Sequence, residues 1–395
     1  MARDERVVVV AGARTPIGSF GSALRTVPAH VLGATAAKGA LHRAGLAPDT
    51  VDELVMGCIG QVGPEAYNAR RVALESGMPE STPAFNVNRL CGSGLQAIWG
   101  GAQELLWGGT DVVVAGGNES MSTMPFLDFN ARFNNRLGDR ELVDGTVAML
   151  TDPFSGSHMG VTAENVAEKY AVSRGEQDDF AAESQRRAAS QKARTTFAEE
   201  IVPVMQQGRS AQMVDTDEHP KPATTAEKLS KLRPVFRDGG TVTAGNSSGI
   251  NDGAAAVVLM RERDVAAQRL HGLATLEAVS TAAMSPDLMG YAPVLALEKL
   301  FAQTGLTAQD IGVVELNEAF AAQAVAVIRD AGLDPERTNP YGGAIALGHP
   351  VGATGAILSV RVALELQRSN LEYGIVTMCI GGGQALAALF RRYDR

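Results

Sequence analysis

The sequence predicts an α/β protein built on a duplicated unit, and two patterns carry that prediction. Apolar, β-branched runs alternate with amphipathic helical stretches. That order suits sheets covered by helices on both faces. A strand-and-helix segment then recurs in the same order, with Gly45 answered by Gly305 and Gly92 by Gly352, each 260 positions on. Two matches at one offset point to an internal duplication.

The elements follow in order. Val7–Val10 reads as a buried strand behind the charged lead Met1-Ala2-Arg3-Asp4-Glu5-Arg6, which has no signal-peptide core or cleavage site. Val31–Ala44 reads as a helix, Leu54–Met56 as a strand, Gly94–Leu106 as a helix and Val112–Ala115 as a strand. The stretch from Ser120 to Thr243 has no counterpart in the second half. It is richer in charge, Met and Phe, contains the helical run Thr162–Arg194, and reads as an insertion. Ala254–Met260 returns to a strand. The helices Val294–Gln303, Ala319–Ala331 and Gly355–Leu366 and the strands Val313–Leu316 and Ile375–Met378 complete the second half. The expected organisation is one half from 1–119 with 244–271, an insertion over 120–243, and a second half over 272–395.

Composition narrows the function. A length of 395 residues fits two or three domains. With 35 basic and 44 acidic residues the net charge is -9, which argues against a nucleic-acid partner. No apolar run reaches the roughly 18 residues that span a bilayer, so no membrane partner is expected. The chain ends Tyr393-Asp394-Arg395, not a peroxisomal signal, and a cytoplasmic location is expected. Cys58, Cys91 and Cys379 fit neither a disulfide framework nor a zinc pattern.

Two of these cysteines sit in unusual surroundings. Cys91 lies in Asn88-Arg89-Leu90-Cys91-Gly92-Ser93-Gly94, just before a helix. A thiol at a helix N-terminus feels positive potential, which lowers its pKa, and small neighbours admit a substrate. Cys91 is therefore a candidate nucleophile. Cys379 ends a strand and enters Gly381-Gly382-Gly383, whose N–H groups suit an oxyanion hole. His349, in Gly348-His349-Pro350, is a candidate general base. Asn317-Glu318-Ala319-Phe320 follows a strand end, where α/β proteins place sites. Cys58 reads as core filler. A competing reading takes Gly92-x-Gly94-x-x-Ala97 as a dinucleotide fingerprint, with Glu119 as the ribose-binding acid. It is weakened by Asn86 to Leu90, a poor strand.

Together, the Cys91, Asn317, His349 and Cys379 segments resemble the four signature blocks of the thiolases, and the resemblance runs from Ala13-Arg14-Thr15-Pro16 to the end. It implies a duplicated five-layer α-β-α-β-α core with an inserted loop domain. It further implies an acyltransferase that condenses two acetyl-CoA, or acetyl-CoA with an acyl-CoA, or cleaves β-ketoacyl-CoA in reverse. Cys91 would carry the acyl group, with His349 activating it and helping to polarise the thioester oxygen. Cys379 would move the α-proton. Asn317 would hold a water beside His349, and the N–H groups of Cys91 and Gly381 would form a second oxyanion hole. Leu150, His158, Met159, Ser248, Ala319 and Phe320 would meet the substrate and its pantetheine arm, and Lys221 the CoA phosphates. Coenzyme A enters as substrate, with no tightly bound cofactor and no metal, and the assembly implied is a homotetramer. Departures at Tyr291, Ala292 and Ala385 bear on acyl-chain preference. The alternatives are a longer-chain degradative 3-ketoacyl-CoA thiolase, a nucleotide-dependent dehydrogenase and a non-catalytic acyl-CoA-binding protein.

Overall fold

The structure, a computed structural model, describes residues 5–133, 137–208 and 211–394; the lead Met1 to Asp4 and the terminal Arg395 lie outside it. Nine principal strands share one large sheet: β1 (Val7–Arg14), β2 (Glu53–Gly57), β3 (Ala84–Val87), β4 (Val112–Ser120), β5 (Asn251–Arg261), β6 (Ala274–Ala283), β7 (Val313–Leu316), β8 (Tyr373–Ile380) and β9 (Gln384–Arg392). Their spatial order is β7-β8-β9-β6-β1-β5-β4-β2-β3. The principal helices are α1 (Ala29–Ala44), α2 (Asn68–Glu75), α3 (Ser93–Gln103), α4 (Met159–Lys169), α5 (Arg174–Ala188), α6 (Gln191–Glu200), α7 (Ala292–Thr304), α8 (Ala321–Asp330) and α9 (Thr354–Arg368).

The duplication is visible in the strand pairing. In the first half β1 and β5 are antiparallel, β5 and β4 antiparallel, and β4 and β2 parallel. In the second half β6 and β9, β9 and β8, and β8 and β7 repeat that sequence of directions. Strand β3, parallel to β2, is reduced in the second half to a single bridge between Val314 and Thr338. The Gly-Leu signal is a helix stop. Gly45 ends α1 at φ 68° and Gly305 ends α7 at φ 74°, the left-handed region that glycine enters without steric cost.

The half-sheets meet through three antiparallel pairs between β1 and β6. Strand side chains alternate between faces, and the alternation separates three cores. Val7, Val9, Val113 and Val257 pack with Met378 and Phe390 of the other half-sheet around Leu95 and Ile98 of α3 and Ile357 and Val360 of α9. Val8, Val10, Val114 and Val258 face outward against α1. Val314, Leu316, Ile375 and Leu389 face outward against α7 and α8. The result is helix, sheet, central helices, sheet, helix, the five layers expected.

The insertion departs from the expected single helical run. Ser173 begins α5 with a capping box to Glu176, and Ser190 caps α6 by accepting from Ala193 N. The Ser-x-x-Glu stop-and-start signal was present in the sequence but hidden by continuous polar helix formers. No strand between Ser120 and Asn251 joins the large sheet among the described residues. Strands β6 and β9 also depart from their local sequence preference. Ala-Thr-Leu-Glu and Gln-Ala-Leu-Ala are rich in good helix formers, and cross-strand pairing overrides that preference.

A buried charge cluster ties the insertion to both halves. Glu200, at the end of α6, accepts from Arg14 Nε at 2.6 Å and Arg361 Nε at 3.2 Å. Arg14 also grips Asp217 at 2.7 and 2.9 Å. The Phe197 ring lies 5.1 Å from the Arg14 guanidinium and 4.9 Å from that of Arg361.

Candidate active site

Strand β3 delivers the chain to the Cys91 loop. Asn86 to Leu90 is a poor strand by composition, yet the edge strand Ala84–Val87 forms, held by β2. Ser93 Oγ then clamps the turn, accepting from Arg89 N at 2.9 Å and donating to Leu90 O at 2.6 Å. Leu90 is held at φ 48°, a conformation that costs a non-glycine residue about 1–2 kcal/mol. Cys91 follows at once and is partly exposed to a cavity of about 360 Å³.

Burial pushes the Cys91 thiol up, while the backbone N–H groups of Gly381 and of Cys91 itself pull it down. This corrects the expectation of a depressed pKa. These two N–H groups do not outweigh loss of water, so the Cys91 thiol lies above its ordinary value. The same two N–H groups converge on its sulfur, where they were expected to build an oxyanion hole.

His349 faces the same cavity. Its backbone position depends on Gly348, at φ 103°, where an added Cβ would lie 2.4 Å from the Asn251 side chain. Asn251 Oδ1 accepts from His349 N at 3.0 Å, and its amide donates to Gly18 O at 2.9 Å. The imidazole Nδ1 lies 2.6 Å from Thr354 Oγ1, and Nε2 lies 3.4 Å from Asn317 Nδ2. Burial lowers the His349 pKa to about 4, so the ring is neutral at physiological pH and able to accept a proton.

Cys379 is the last residue but one of β8, opposite Ala385 of β9, and Gly381-Gly382-Gly383 forms the turn between the two strands. Cys379 is buried beside Met289, Ala319 and Phe320, just behind the cavity wall. Burial, and then the nearby Cys91, push its thiol far up. Asn317 is likewise buried; its Oδ1 has no hydrogen-bond partner among the described residues.

Leu150, His158, Met159, Ser248, Ala319, Phe320 and Gly381 line the cavity with Cys91 and His349. His158 also caps α4, its Nδ1 accepting from Gly160 N at 3.0 Å, and stacks on Phe236 at 4.9 Å. Ser248 N donates to Ala319 O at 3.0 Å, which pins its loop to the Asn317 segment. Lys221 lies apart, in a second cavity of about 500 Å³ with Lys228 and His219; the two cavities share Ala244. Lys228 carried no signal in the sequence beyond a positive charge on a short helix. Tyr291, Ala292 and Ala385 line neither of these cavities; Tyr291 instead stacks on Tyr170 at 3.7 Å and donates to Asp330 at 3.0 Å. Met289 is the cavity residue of that segment.

The dinucleotide reading fails on packing. An added Cβ on Gly94 would meet Ala356 N at 2.7 Å, and one on Gly92 would meet Ile380 at 2.5 Å. These glycines let α3 approach α9 and the strands, and leave no room there for a pyrophosphate. Glu119 is fully buried and accepts from Ile59 N, Gly60 N and Gly352 N at 3.1, 2.9 and 3.0 Å. Burial raises it to about 7 against those N–H groups. It fastens the loop after β2 to the loop after His349 rather than awaiting a ribose. Cys58 lies buried 3.7 Å from the same carboxylate, a poor nucleophile.

Among the described residues no helix is long and apolar enough to cross a membrane. Residues 7–263 match the family described as thiolase, N-terminal domain, and residues 270–392 that described as thiolase, C-terminal domain. The chain is 49% identical over 389 residues to the beta-ketothiolase BktB of Cupriavidus necator, covering 98% of this chain and 99% of that protein. It is 46% identical over 391 residues to a probable acetyl-CoA acyltransferase of Staphylococcus aureus, covering 98% and 99%. The crystal structure of the Bacillus anthracis acetyl-CoA acetyltransferase superposes with a TM-score of 0.96 at 39% identity, covering 98% of this chain and 99% of that one. The human mitochondrial 3-ketoacyl-CoA thiolase in complex with CoA gives 0.95 at 41% identity, covering 99% and 98%.

Proposed function

Since the chain belongs to the thiolase family, we propose that Cys91 takes the acyl group from an acyl-CoA, with His349 as its base and Cys379 as the acid/base of carbon–carbon bond formation. The protein is an acyltransferase that carries out thiolase condensation. The observation that carries the residue assignment is the convergence, around one cavity, of a partly exposed thiol, a buried neutral imidazole and a second thiol behind the wall.

Acylation proceeds from the resting thiol. Nε2 of His349 accepts the Cys91 proton as sulfur attacks the thioester carbon, and the proton then passes to the departing CoA sulfur. Negative charge on the thioester oxygen is met by the N–H groups of Cys91 and Gly381. Cys379 then takes the α-proton of the second acetyl-CoA. Asn317 Oδ1 is the buried acceptor left to hold a water for the resulting enolate oxygen. Lys221 and Lys228, in the adjoining cavity, supply positive charge for the CoA phosphates.

Mass spectrometry after mixing with acetyl-CoA tests the nucleophile. An acetyl group is expected on Cys91, and an unmodified Cys91 under turnover conditions refutes the assignment. In Lys221→Glu the same label should form, at a half-saturating acetyl-CoA concentration several-fold higher, since a phosphate contact contributes to binding and not to chemistry.

The homotetramer belongs to the same proposal. Phe129, Leu137 and Phe154 are 70%, 97% and 74% exposed, an apolar fringe that a partner subunit would cover. Sedimentation should give the mass of four chains, and a monomer would overturn it. A cytoplasmic location, consistent with three free cysteines, completes the proposal; finding the protein in the soluble cytoplasmic fraction tests it.

A further inference from the structure

We propose that Thr354 is a positioning residue that holds His349 in the tautomer competent to accept the Cys91 proton. The inference rests on the assignment of His349 as the base and extends it to a residue that touches neither substrate nor sulfur.

Two observations on opposite sides of the imidazole agree. On the Nδ1 side, Thr354 Oγ1 lies 2.6 Å away and also lies 3.0 Å from Pro350 O. A hydroxyl has one proton. When it is donated to the Pro350 carbonyl, Oγ1 is left as an acceptor, and Nδ1 must carry the ring proton. On the Nε2 side, the group 3.4 Å away is the Asn317 amide nitrogen, a donor. A donor facing Nε2 requires a bare lone pair there. Both contacts select the Nδ1–H tautomer, with Nε2 free as a base.

The chain Nδ1–H to Oγ1 to Pro350 O is buried throughout, with Thr354 3% and His349 6% exposed. Bonds of this kind strengthen in a medium of low dielectric. When Nε2 takes the thiol proton, the S–H bond breaks, the N–H bond forms and the electron pair stays on sulfur. The new imidazolium then donates from Nδ1 to an acceptor already in place. In a catalytic triad an ionised carboxylate orients the base. Here a neutral hydroxyl and a carbonyl do it, which keeps the imidazole from being protonated before the acyl-CoA arrives.

The sequence places this partner five residues after the base, across Pro350. The carbonyl that takes the hydroxyl proton belongs to that proline, and Thr354 opens α9. The local chain therefore builds the relay by itself, without a distant carboxylate.

The test uses the full-length enzyme and the pre-steady-state release of CoA from acetyl-CoA. Thr354→Val preserves shape and removes the hydroxyl. Its acylation rate should fall roughly 10- to 100-fold, a part of what a general base contributes, with the KM for acetyl-CoA within about 3-fold of wild type. Thr354→Ser should recover the rate to within about 3-fold, which a merely structural role of the methyl group would not predict. Wild-type acylation by Thr354→Val overturns the proposal. If His349→Ala also acylates normally, the assignment of the base has failed instead; if His349→Ala is inactive while Thr354→Val is normal, only the present inference fails. Should Thr354→Val not fold, nitrogen-15 NMR of the wild-type imidazoles decides. His349 is expected to show a protonated Nδ1 and a bare Nε2, and the reverse pattern refutes the relay.

Discussion

Cys379→Ala is expected to accept an acetyl group on Cys91 at close to the wild-type rate and then to stop. The side chain is buried in one cluster with Met289 and Phe320, which line the cavity that Cys379 itself does not line. Removing it shortens a buried thiol by one sulfur atom and leaves the hairpin of β8 and β9 intact. Acylation as proposed uses His349 and the two N–H groups, all still present. Condensation needs a base for the α-proton, and a positioned base contributes about 10²–10⁴-fold. The expected result is therefore acetyl-enzyme that accumulates, with β-ketoacyl-CoA formation down by that factor. A variant that condenses at the wild-type rate would move the base elsewhere. Quenched-flow mass spectrometry of the intact chain reads both quantities in one experiment.

Glu200→Gln is expected to destabilise the protein without touching the cavity. Burial alone would raise the Glu200 pKa, but Arg361 and Arg14 outweigh it and hold the carboxylate below its ordinary value. Burial and neighbouring carboxylates, against the pull of Arg361, push the next acid, Glu315, up to about 8. Glu315 therefore offers Arg361 little negative charge at neutral pH, and Glu200 is its main counter-ion. Breaking a fully buried pair by removing one partner costs about 3–5 kcal/mol. The loss should appear as a lower Tm and urea midpoint, at fixed protein concentration. The pH dependence has a definite sign. A depressed carboxylate stabilises above its unfolded value of 4.5 and loses that contribution as pH falls through the folded value. Wild type and Glu200→Gln should thus converge at acid pH and separate at neutral pH. A constant gap would show that lost packing, not charge, accounts for the difference.

Much of the molecule was legible before folding. The repeat at Gly45 and Gly305 is a helix stop written in one residue type, and it survives duplication because a left-handed turn tolerates few substitutes. The strands of the first half are continuous runs of Val and Ala, so burial on both faces was readable. The segments around Cys91, His349 and Cys379 were readable for a related reason: glycines next to Cys91 and His349 and just after Cys379 mark backbone that a substrate can approach closely. Signals failed where neighbours decide. Strands β6 and β9 carry helix-favouring residues, and only their pairing makes them strands. Tyr291 and Ala385 drew attention as departures, yet neither lines the cavity; Met289, unremarkable in sequence, does.

By itself, then, the sequence determined the duplicated α/β architecture, the family and the chemically able side chains, because turn glycines, strand alternation and local motifs are set within a few residues. Only the tertiary structure decided how those side chains behave. Burial leaves Cys91 a thiol rather than the thiolate its helix position suggested, and makes His349 a neutral base. Glu119 became a fastening between the two halves, and Asn251 the anchor of the His349 backbone, through contacts spanning 233 and 98 residues. Desolvation and long-range hydrogen bonding depend on which segments meet, and no local pattern records that meeting.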